Sequence, residues 1–476
     1  MATTYLYRTQ GTPTGTGKKA TVSFWMKKTV DDGASDKGLF EVRDVPSATS
    51  TFDIYTSGNK IGMGLLDSAS WVGSVWTNSK LLDQSAWYHV VAIWDSPQAT
   101  PADRIKLYIN GVLQTSLSSS TYPSQDHINN ALAASSGYTQ QWGRYGAGSA
   151  YWDGYLAQCV FVDGEAYAVT TFGSFDATTG EWKPKSDGEI RSAVTFGDQG
   201  CLIPFSNASY PGYDYQTSDR SGTTNDFTVS GSGYKTQDNP SNNFVTLNGN
   251  FSSTGASSAV AKTLSYANLA GYTTGNNGLP SIIGASKGKW YWEARPVATY
   301  AMMGIMSGSA SALGTYDADY ANGFTTYGGN KAIMVGTDGG NLNLMDVTTL
   351  DATWGTAVNN STDVVGVAMD LDNNNIYFSV NGTWQNSGVP TSGATGTGAV
   401  AITVQSGQPA LGKEVWLPAM HTFSASSTVE FNFGQGYFGT TSAGATNADD
   451  AGIGVFKYDV PAGFYSLCTK NLNTYG

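Results

Sequence analysis

One stretch of the sequence carries the spacing of a calcium-binding loop. In DLDNNNIYFSVNGTW, residues 370–384, Asp370, Asp372 and Asn374 occupy the first, third and fifth positions of such a loop. An EF-hand loop also needs Gly at its sixth position and Glu at its twelfth, and Asn stands at both here. A strand pattern, IYFSV, follows where a helix would be required. The stretch therefore predicts a β-hairpin ending in an Asn381-Gly382 turn, and no metal site. In RIKLYINGV, Asn110-Gly111 predicts the same turn after a strand in the first half of the chain.

Paired acids of the kind that cleave glycosidic bonds are missing along any single predicted strand. Glycanases need two carboxylates that flank the scissile bond, and one large group carries them in an E-x-D strand. No glutamate of this chain has Asp two residues later; the glutamates are Glu41, Glu165, Glu181, Glu189, Glu293, Glu414 and Glu430. A depolymerase would need carboxylates that converge from separate loops, which no linear motif reveals.

The other sequence motifs associated with catalysis lack the neighbouring residues or strands that their chemistry requires. GASKG at 284–288 matches a nucleophile elbow, but the strand WYWEAR follows it instead of preceding it. GTGKK at 15–19 lacks the first glycine of a phosphate loop. His89, His127 and His421 show no metal-pair or triad spacing. We therefore predict no catalytic residue, no metal and no cofactor, and expect a protein that is not an enzyme.

Binding is the chemistry that remains. Aromatic rings offer flat apolar faces for sugar rings, while neighbouring polar side chains supply directed hydrogen bonds. The candidates in loop-like stretches are Trp71, Trp76, Tyr151, Trp152, Asp153, Tyr316, Asp317, Tyr320 and Tyr327. Core or inter-domain packing is the alternative role for each of them. The stretch YDADYANGFTTYGG could equally form a protein contact.

Composition narrows the class of partner. The formal net charge is −12, so phosphate backbones and anionic membrane surfaces are repelled on average, and we expect neither nucleic acid nor membrane insertion. The N-terminal stretch lacks the apolar segment of a signal peptide, and no apolar run reaches the ~18 residues of a membrane span. Only 13% of residues are charged, whereas Gly reaches 58, a balance typical of β-proteins with polar loops.

The candidate binding residues must be positioned by β-strands, which alternating apolar residues predict. Period-2 alternation places Val22, Phe24 and Met26 on one face of ATVSFWMKK. In DGYLAQCVFVDG the same rule places Tyr155, Ala157, Cys159 and Phe161 on one face, which makes Cys159 a core thiol. Strand patterns resume with GKWYWEARP, where Trp290, Trp292 and Ala294 share a face. The fold class is therefore all-β, with two tandem antiparallel β-sandwiches.

The chain divides into four stretches. Residues 1–205 form the first sandwich, 206–243 a polar inter-domain connection without apolar periodicity, and 244–440 the second sandwich. Residues 441–476 form a C-terminal tail that docks back. Neither a fibrous repeat nor a long shaft is present in the sequence.

Both sandwiches resemble known families. Residues 1 to about 205 resemble the laminin G-like, concanavalin A-like jelly rolls through SFWMKK, AWYHVVAIWD, RIKLYINGV and DGYLAQCVFVDG. Residues 244–440 resemble the SPRY family through GKWYWEARP, DVVGVAMDLDNNNIYFSVNG and WLPAMHTFSASSTVEFNFGQGYF. The order of the two modules is similar to that in tailed-phage structural proteins, particularly those of marine and cyanobacterial phages.

This resemblance implies a bacteriophage virion surface protein, either a compact appendage tip or a decoration. Its partners would be other virion proteins and host-surface polysaccharide. By analogy it would be a homo-oligomer, and a trimer is the expected state. The alternatives are a polysaccharide depolymerase of a phage appendage and a cellular SPRY adaptor, although the sequence offers no recognisable partner-recruiting domain.

Overall fold

The structure is a computed structural model. It describes residues 3–29, 31–146, 148, 150–206, 210–217, 225–251, 262–273, 278–308, 316–319, 323–326, 332–338, 341–346, 349–351, 354–403, 414–422 and 427–476. The chain divides into two compact units, Met1–Lys235 and Thr236–Gly476. The stretch interpreted as a connection contributes a strand to the first unit, because Thr228–Ser230 pairs with Tyr5–Tyr7.

The first unit is built from strands with short helical turns. Its strands are β1 (Tyr5–Thr9), β2 (Lys19–Lys28), β3 (Lys37–Asp44), β4 (Thr51–Ser57), β5 (Lys60–Asp67), β6 (Ser70–Thr77), β7 (Trp87–Asp95), β8 (Ile105–Ile109), β9 (Val112–Leu113), β10 (Leu117–Thr121), β11 (Tyr138–Trp142), β12 (Arg144–Tyr145), β13 (Ala150–Tyr151), β14 (Gly154–Asp163), β15 (Gly173–Phe175), β16 (Trp182–Pro184), β17 (Cys201–Ile203) and β18 (Thr228–Ser230). Its helices are α1 (Asn130–Ala133) and α2 (Asp187–Ala193), with 3-10 turns at Pro101–Asp103 and Val169–Thr171.

Two antiparallel sheets enclose the core of the first unit. One has the strand order β10-β6-β5-β4-β3-β11-β1-β18, and the other has the order β17-β14-β2-β7-β8-β9. Rings meet across the two sheets: Phe40 of β3 lies 5.0 Å from Phe161 of β14, and Phe24 of β2 lies 5.9 Å from Trp142 of β11. The packing of two inner faces makes this unit a β-sandwich.

The second unit follows the same plan. Its strands are β19 (Lys262–Ser265), β20 (Ala270–Thr273), β21 (Gly278–Pro280), β22 (Lys289–Pro296), β23 (Ala301–Ser307), β24 (Tyr316–Asp319), β25 (Gly323–Thr326), β26 (Ala332–Asp338), β27 (Asn341–Asp346), β28 (Thr349–Asp351), β29 (Val365–Asp370), β30 (Asn375–Val380), β31 (Thr383–Trp384), β32 (Val400–Ala401), β33 (Trp416–Thr422), β34 (Val429–Asn432), β35 (Tyr437–Phe438), β36 (Thr441–Ser442) and β37 (Tyr465–Ser466). Its helix is α3 (Thr469–Tyr475), with 3-10 turns at Gln385–Ser387 and Pro390–Thr395.

Two sheets again flank one core in the second unit. One has the order β19-β20-β34-β22-β29-β30-β31, and the other has the order β21-β33-β23-β26-β27-β28. Trp290 and Trp292 of the first sheet share a buried cluster with Met303 and Ile305 of the second. The predicted all-β class with sandwich architecture is confirmed. One strand pair is parallel and not antiparallel as predicted: β37, near the C-terminus, runs parallel to β22.

The hairpin prediction is confirmed in both units. Strands β29 and β30 pair antiparallel. Asn381 and Gly382, which follow β30, have φ of 49° and 79°. In the first unit Asn110 and Gly111 after β8 have φ of 48° and 80°. Two consecutive positive φ angles define the tight turn whose twist matches that of the flanking strands, and Asn-Gly adopts it at least cost.

The face assignment in β14 was wrong. The register of β14 against β2 shifts between Ala157 and Val160, and Gln158 there has φ of 46°. This β-bulge inverts the alternation, so Cys159 and Phe161 lie in the core while Tyr155 pairs with Lys27 on the opposite face. The core position predicted for Cys159 is nevertheless correct, because its thiol is fully buried.

Candidate functional site

Trp71 and Trp76 lie on the face of the eight-stranded sheet that points away from the core. Both belong to β6, in which Val75 faces the core. Their indoles cover two glycines of the neighbouring strand β5: a Cβ atom on Gly62 would lie 2.5 Å from the Trp76 ring, and one on Gly64 would lie 2.5 Å from Cζ3 of Trp71. Glycine at both positions lets the rings rest directly on the backbone.

Further aromatic rings continue from these tryptophans across the sheet. Trp76 meets the edge of Tyr55 on β4 at 4.8 Å, and Tyr55 stacks on Tyr145 of β12 at 4.5 Å. Beyond Tyr145, Tyr5 of β1 lies 5.9 Å from Tyr151 and 5.5 Å from Tyr7. We define the aromatic strip as Trp71, Trp76, Tyr55, Tyr145, Tyr151, Tyr5 and Tyr7.

The aromatic strip is long and partly open to solvent. It runs from β6 to β1, which are five strand spacings apart, or roughly 24 Å at ~4.8 Å per spacing. Trp71 is 51% exposed and Tyr7 is 37% exposed, whereas Trp76, Tyr145, Tyr151 and Tyr5 are half-buried and Tyr55 is buried. Such a surface offers ring faces in a row and runs across the strands.

Two acidic side chains lie beneath the strip. Glu41 of β3 is the cross-strand partner of Asp53 of β4, and both are buried. Glu41 accepts hydrogen bonds from the Gln141 side chain and from the backbone N–H of Gly146, and Asp53 accepts one from Thr51 Oγ1 at 2.6 Å. Burial raises the pKa of Glu41, and burial together with the adjacent Glu41 raises the pKa of Asp53 well above its ordinary value. One shared proton satisfies the pair better than two negative charges.

The other sequence-predicted residues fall in different places. Tyr151 joins the strip, while Trp152 is only 5% exposed and donates from Nε1 to the Tyr155 carbonyl at 3.2 Å, which is the core-packing alternative. Asp153 is half-buried, and its carbonyl accepts a hydrogen bond from Thr29 Oγ1. Tyr316 and Asp317 begin β24, where only the backbone is described. Tyr320 and Tyr327 lie outside the described residues.

Sequence reasoning missed four members of the strip and the acid pair. Tyr5, Tyr7, Tyr55 and Tyr145 lie in strands, not in loops. The alternation of TFDIYT held the available signal, because Phe52 and Ile54 enter the core and thereby place Asp53 and Tyr55 together on the opposite face.

A serine–histidine contact in the six-stranded sheet has the wrong polarity for nucleophilic catalysis. Ser23 Oγ lies 2.9 Å from Nε2 of His89, and Nδ1 of His89 accepts a hydrogen bond from Trp182 Nε1 at 2.9 Å. An indole can only donate, so the proton of the neutral imidazole lies on Nε2 and Ser23 is the acceptor. Burial lowers the pKa of His89 to about 3. This histidine therefore cannot take a proton from Ser23.

Within the described ranges, no three His, Cys, Asp or Glu side chains lie close enough to hold a metal ion. Within the same ranges, no helix has the length and apolar character needed to cross a membrane.

Comparisons with known proteins bear on the first unit. The family model of the concanavalin A-like lectin/glucanases superfamily matches residues 3–166. These residues include all of the aromatic strip and the acid pair. A search of curated protein sequences gave no match.

Similar solved structures were also found. A SAP-like pentraxin of Limulus polyphemus is 17% identical, with 34% of this chain and 71% of that chain covered and a TM-score of 0.25. The TRIM65 PSpry domain is 12% identical, with 40% and 91% covered and a TM-score of 0.27. The CBM40 module of the Ruminococcus gnavus IT-sialidase, bound to α2,3-sialyllactose, is 16% identical, with 29% and 70% covered and a TM-score of 0.22. At these TM-scores the similarities carry no functional argument.

Proposed function

We propose that this chain is a non-enzymatic bacteriophage virion surface protein, a compact appendage tip or decoration, whose first unit binds host-surface glycans along the aromatic strip. The observation that carries the proposal is the strip itself: a row of rings that crosses five strand spacings on the sheet face that points away from the core, with Trp71 and Tyr7 exposed to solvent. The match of residues 3–166 to a superfamily named for lectins and glucanases supports a carbohydrate ligand.

The chemistry of the strip suits sugar rings. The C–H faces of a pyranose pack on indole and phenol rings, and hydroxyl groups at the ring edge need polar partners. Trp71 presents half of its surface to solvent, and Ser74 lies on the same face opposite Gly64. Burial raises the pKa of the Tyr55 and Tyr145 phenols, so both remain neutral hydrogen-bonding groups. A strip of this length accommodates several sugar units instead of one.

Burial of the acid pair favours binding over hydrolysis. A glycosidase must bring one carboxyl group to the leaving oxygen and another to the anomeric carbon or to a water. Asp53 is 0% exposed and Glu41 is 1% exposed, so neither carboxyl reaches a ligand lying on the strip. This arrangement supports an attachment role, and depolymerase activity is the alternative that the experiment below addresses.

The virion assignment rests on the resemblance of the module order to tailed-phage structural proteins. Under this proposal the second unit is the SPRY-like module that contacts neighbouring virion proteins. Mass spectrometry of purified phage particles tests the assignment: the chain is expected at a defined copy number, and its absence from particles would contradict the proposal.

A binding experiment tests the glycan role. The full chain is titrated by calorimetry with exopolysaccharide from the phage host and, in parallel, is applied to an array of bacterial glycans. Trp71→Ala is expected to weaken binding at least tenfold. The matched control Val112→Ala also removes an exposed apolar side chain, from the edge strand β9 of the other sheet, and should bind normally.

The same samples distinguish attachment from cleavage. Incubation with the exopolysaccharide is expected to release no new reducing ends over a day. Release that disappears in Asp53→Asn would establish the depolymerase alternative instead. Equal binding by the wild-type protein and Trp71→Ala would show that the strip is not the glycan site.

A further inference from the structure

One cation interrupts the aromatic strip. Arg144, the first residue of β12, lies between the Tyr145 and Tyr5 parts of the strip, with its guanidinium carbon 3.9 Å from the centroid of the Tyr5 ring. Arg144 pairs with Tyr151 across the β12–β13 hairpin. A ligand that covers both halves of the strip must therefore pass this guanidinium group.

Arg144 is held in place before any ligand arrives. Its Nε and Nη2 both donate to Oε1 of Gln141, at 3.0 and 2.8 Å. Gln141 is fully buried, and its Nε2 donates to Glu41 and to the Gly146 carbonyl. Stacking on Tyr5 fixes the plane of the guanidinium group as well. Such preorganisation reduces the entropy lost when a ligand binds.

Arg144 makes no direct contact with a carboxylate in the described part of the chain. Among the described residues, no Asp or Glu forms an ion pair with it, whereas Arg43 lies 3.9 Å from Glu41 and Arg295 lies 2.5 Å from Glu430. The hydrogen bonds to Gln141 use one edge of the guanidinium group and leave Nη1 without a partner in the described part of the chain. Glu41 lies near enough to interact with Arg144 through space, but its Oε2 accepts hydrogen bonds from the Gln141 side chain and the Gly146 N–H instead.

We propose that the aromatic strip takes an acidic polysaccharide, whose uronate or sulfate group binds Arg144. This inference rests on the glycan-binding role proposed above and names the ligand class. Carboxylate and sulfate oxygens match the planar donors of guanidinium, and a charge-assisted hydrogen bond is about twice as strong as a neutral one. In a chain of net charge −12, long-range attraction cannot recruit an anionic polymer, so the local contact must provide selectivity.

Matched pairs of oligosaccharides test the proposal. The probes are hexagalacturonate with its methyl ester, and a sulfated galactan hexamer with its desulfated form. The full chain is expected to bind the charged member of at least one pair at least tenfold more tightly. The pair that shows the difference distinguishes uronate from sulfate.

Variants attribute that difference to Arg144. Arg144→Gln should lower the affinity for the charged chain to that for the neutral chain, while Trp71→Ala should weaken both. Arg191→Gln is the matched control, because Arg191 also lies over a tyrosine ring, that of Tyr215 at 4.6 Å, and lies outside the strip. Circular dichroism spectra check that each variant is folded. Should Arg144→Gln fail to fold, the wild-type preference for the charged chain should still decline between 50 mM and 500 mM NaCl.

The outcomes separate the two proposals. Equal affinity for charged and neutral chains, or an unchanged preference in Arg144→Gln, would overturn the acidic-ligand inference and leave glycan binding intact. A salt-independent preference would overturn the role of Arg144 as well. Absence of binding to every hexamer at millimolar concentration would overturn the acidic-ligand inference, and binding of host exopolysaccharide would then show whether the strip still takes another glycan.

Discussion

Glu41 and Asp53 face each other directly in the register of β3 and β4, although twelve positions separate them in the sequence. Both carboxyl groups are buried under Tyr55 and Tyr145, and the pKa of each is raised. The native structure therefore binds protons at this site more tightly than the unfolded chain does.

The acid pair should make stability decline as pH rises. A raised folded pKa gives a stabilisation that is complete below the unfolded pKa of about 4 and is lost as pH rises through the folded value. Asp53→Asn removes one titrating group and is expected to flatten this dependence and to stabilise the protein by roughly 1–3 kcal/mol at pH 8. Urea denaturation of the full chain between pH 4.5 and 8 measures the free energy of unfolding, and hydrogen exchange of β3 and β4 localises the effect.

The control is Glu165→Gln, which changes an exposed acid. An unchanged pH dependence in Asp53→Asn would contradict the shared-proton arrangement.

Gly64→Ala should separate ligand binding from stability. The new Cβ would lie 2.5 Å from Trp71, whose half-exposed indole can swing into solvent. We expect glycan affinity to fall severalfold while the free energy of unfolding changes by less than about 1 kcal/mol. Calorimetric titration and thermal denaturation measure the two quantities. Gly188→Ala in α2, where a Cβ has open space, should bind normally. Equal affinity of Gly64→Ala and the wild-type protein would show that the position of the Trp71 ring is unimportant.

His89 should remain neutral in mildly acidic solution. Burial lowers its pKa to about 3, so its contribution to stability is present above the unfolded value of about 6.5 and is lost as pH falls towards 3. Nitrogen-15 NMR at pH 5 is expected to show the tautomer protonated at Nε2. Trp182→Phe removes the indole donor to Nδ1 and should destabilise the protein by roughly 1–3 kcal/mol. A doubly protonated ring at pH 5 would refute this assignment.

Glu293 should anchor the segment that precedes β37. Its carboxylate accepts hydrogen bonds from the backbone N–H groups of Lys457 and Tyr458, at 2.9 and 2.8 Å, and from the side chains of Asn432 and Tyr291. Glu293→Gln replaces one acceptor oxygen with a donor and is expected to cost roughly 1–3 kcal/mol. Hydrogen exchange within 443–466 should accelerate in the variant. Glu181→Gln, at an exposed glutamate, serves as the comparison, and equal exchange rates in both variants would argue against the anchor.

Local features of the fold were predictable from sequence. The alternation of Val22, Phe24 and Met26 correctly assigned the core face of β2, and the two Asn-Gly turns were found from their residue types. Each depends on neighbouring residues only, because backbone geometry sets side-chain direction and turn conformation over a few positions.

The candidate site could not be predicted from such local patterns. The sequence determined that the chain forms β-sandwiches, and it singled out Trp71 and Trp76. Tertiary structure alone decided that β1, β4, β6, β12 and β13 bring their rings into one strip, that Glu41 meets Asp53, and that the bulge at Gln158 inverts part of β14. The reason is that strand order and register are set by packing between distant segments, and a shift of one residue exchanges the two faces of a strand.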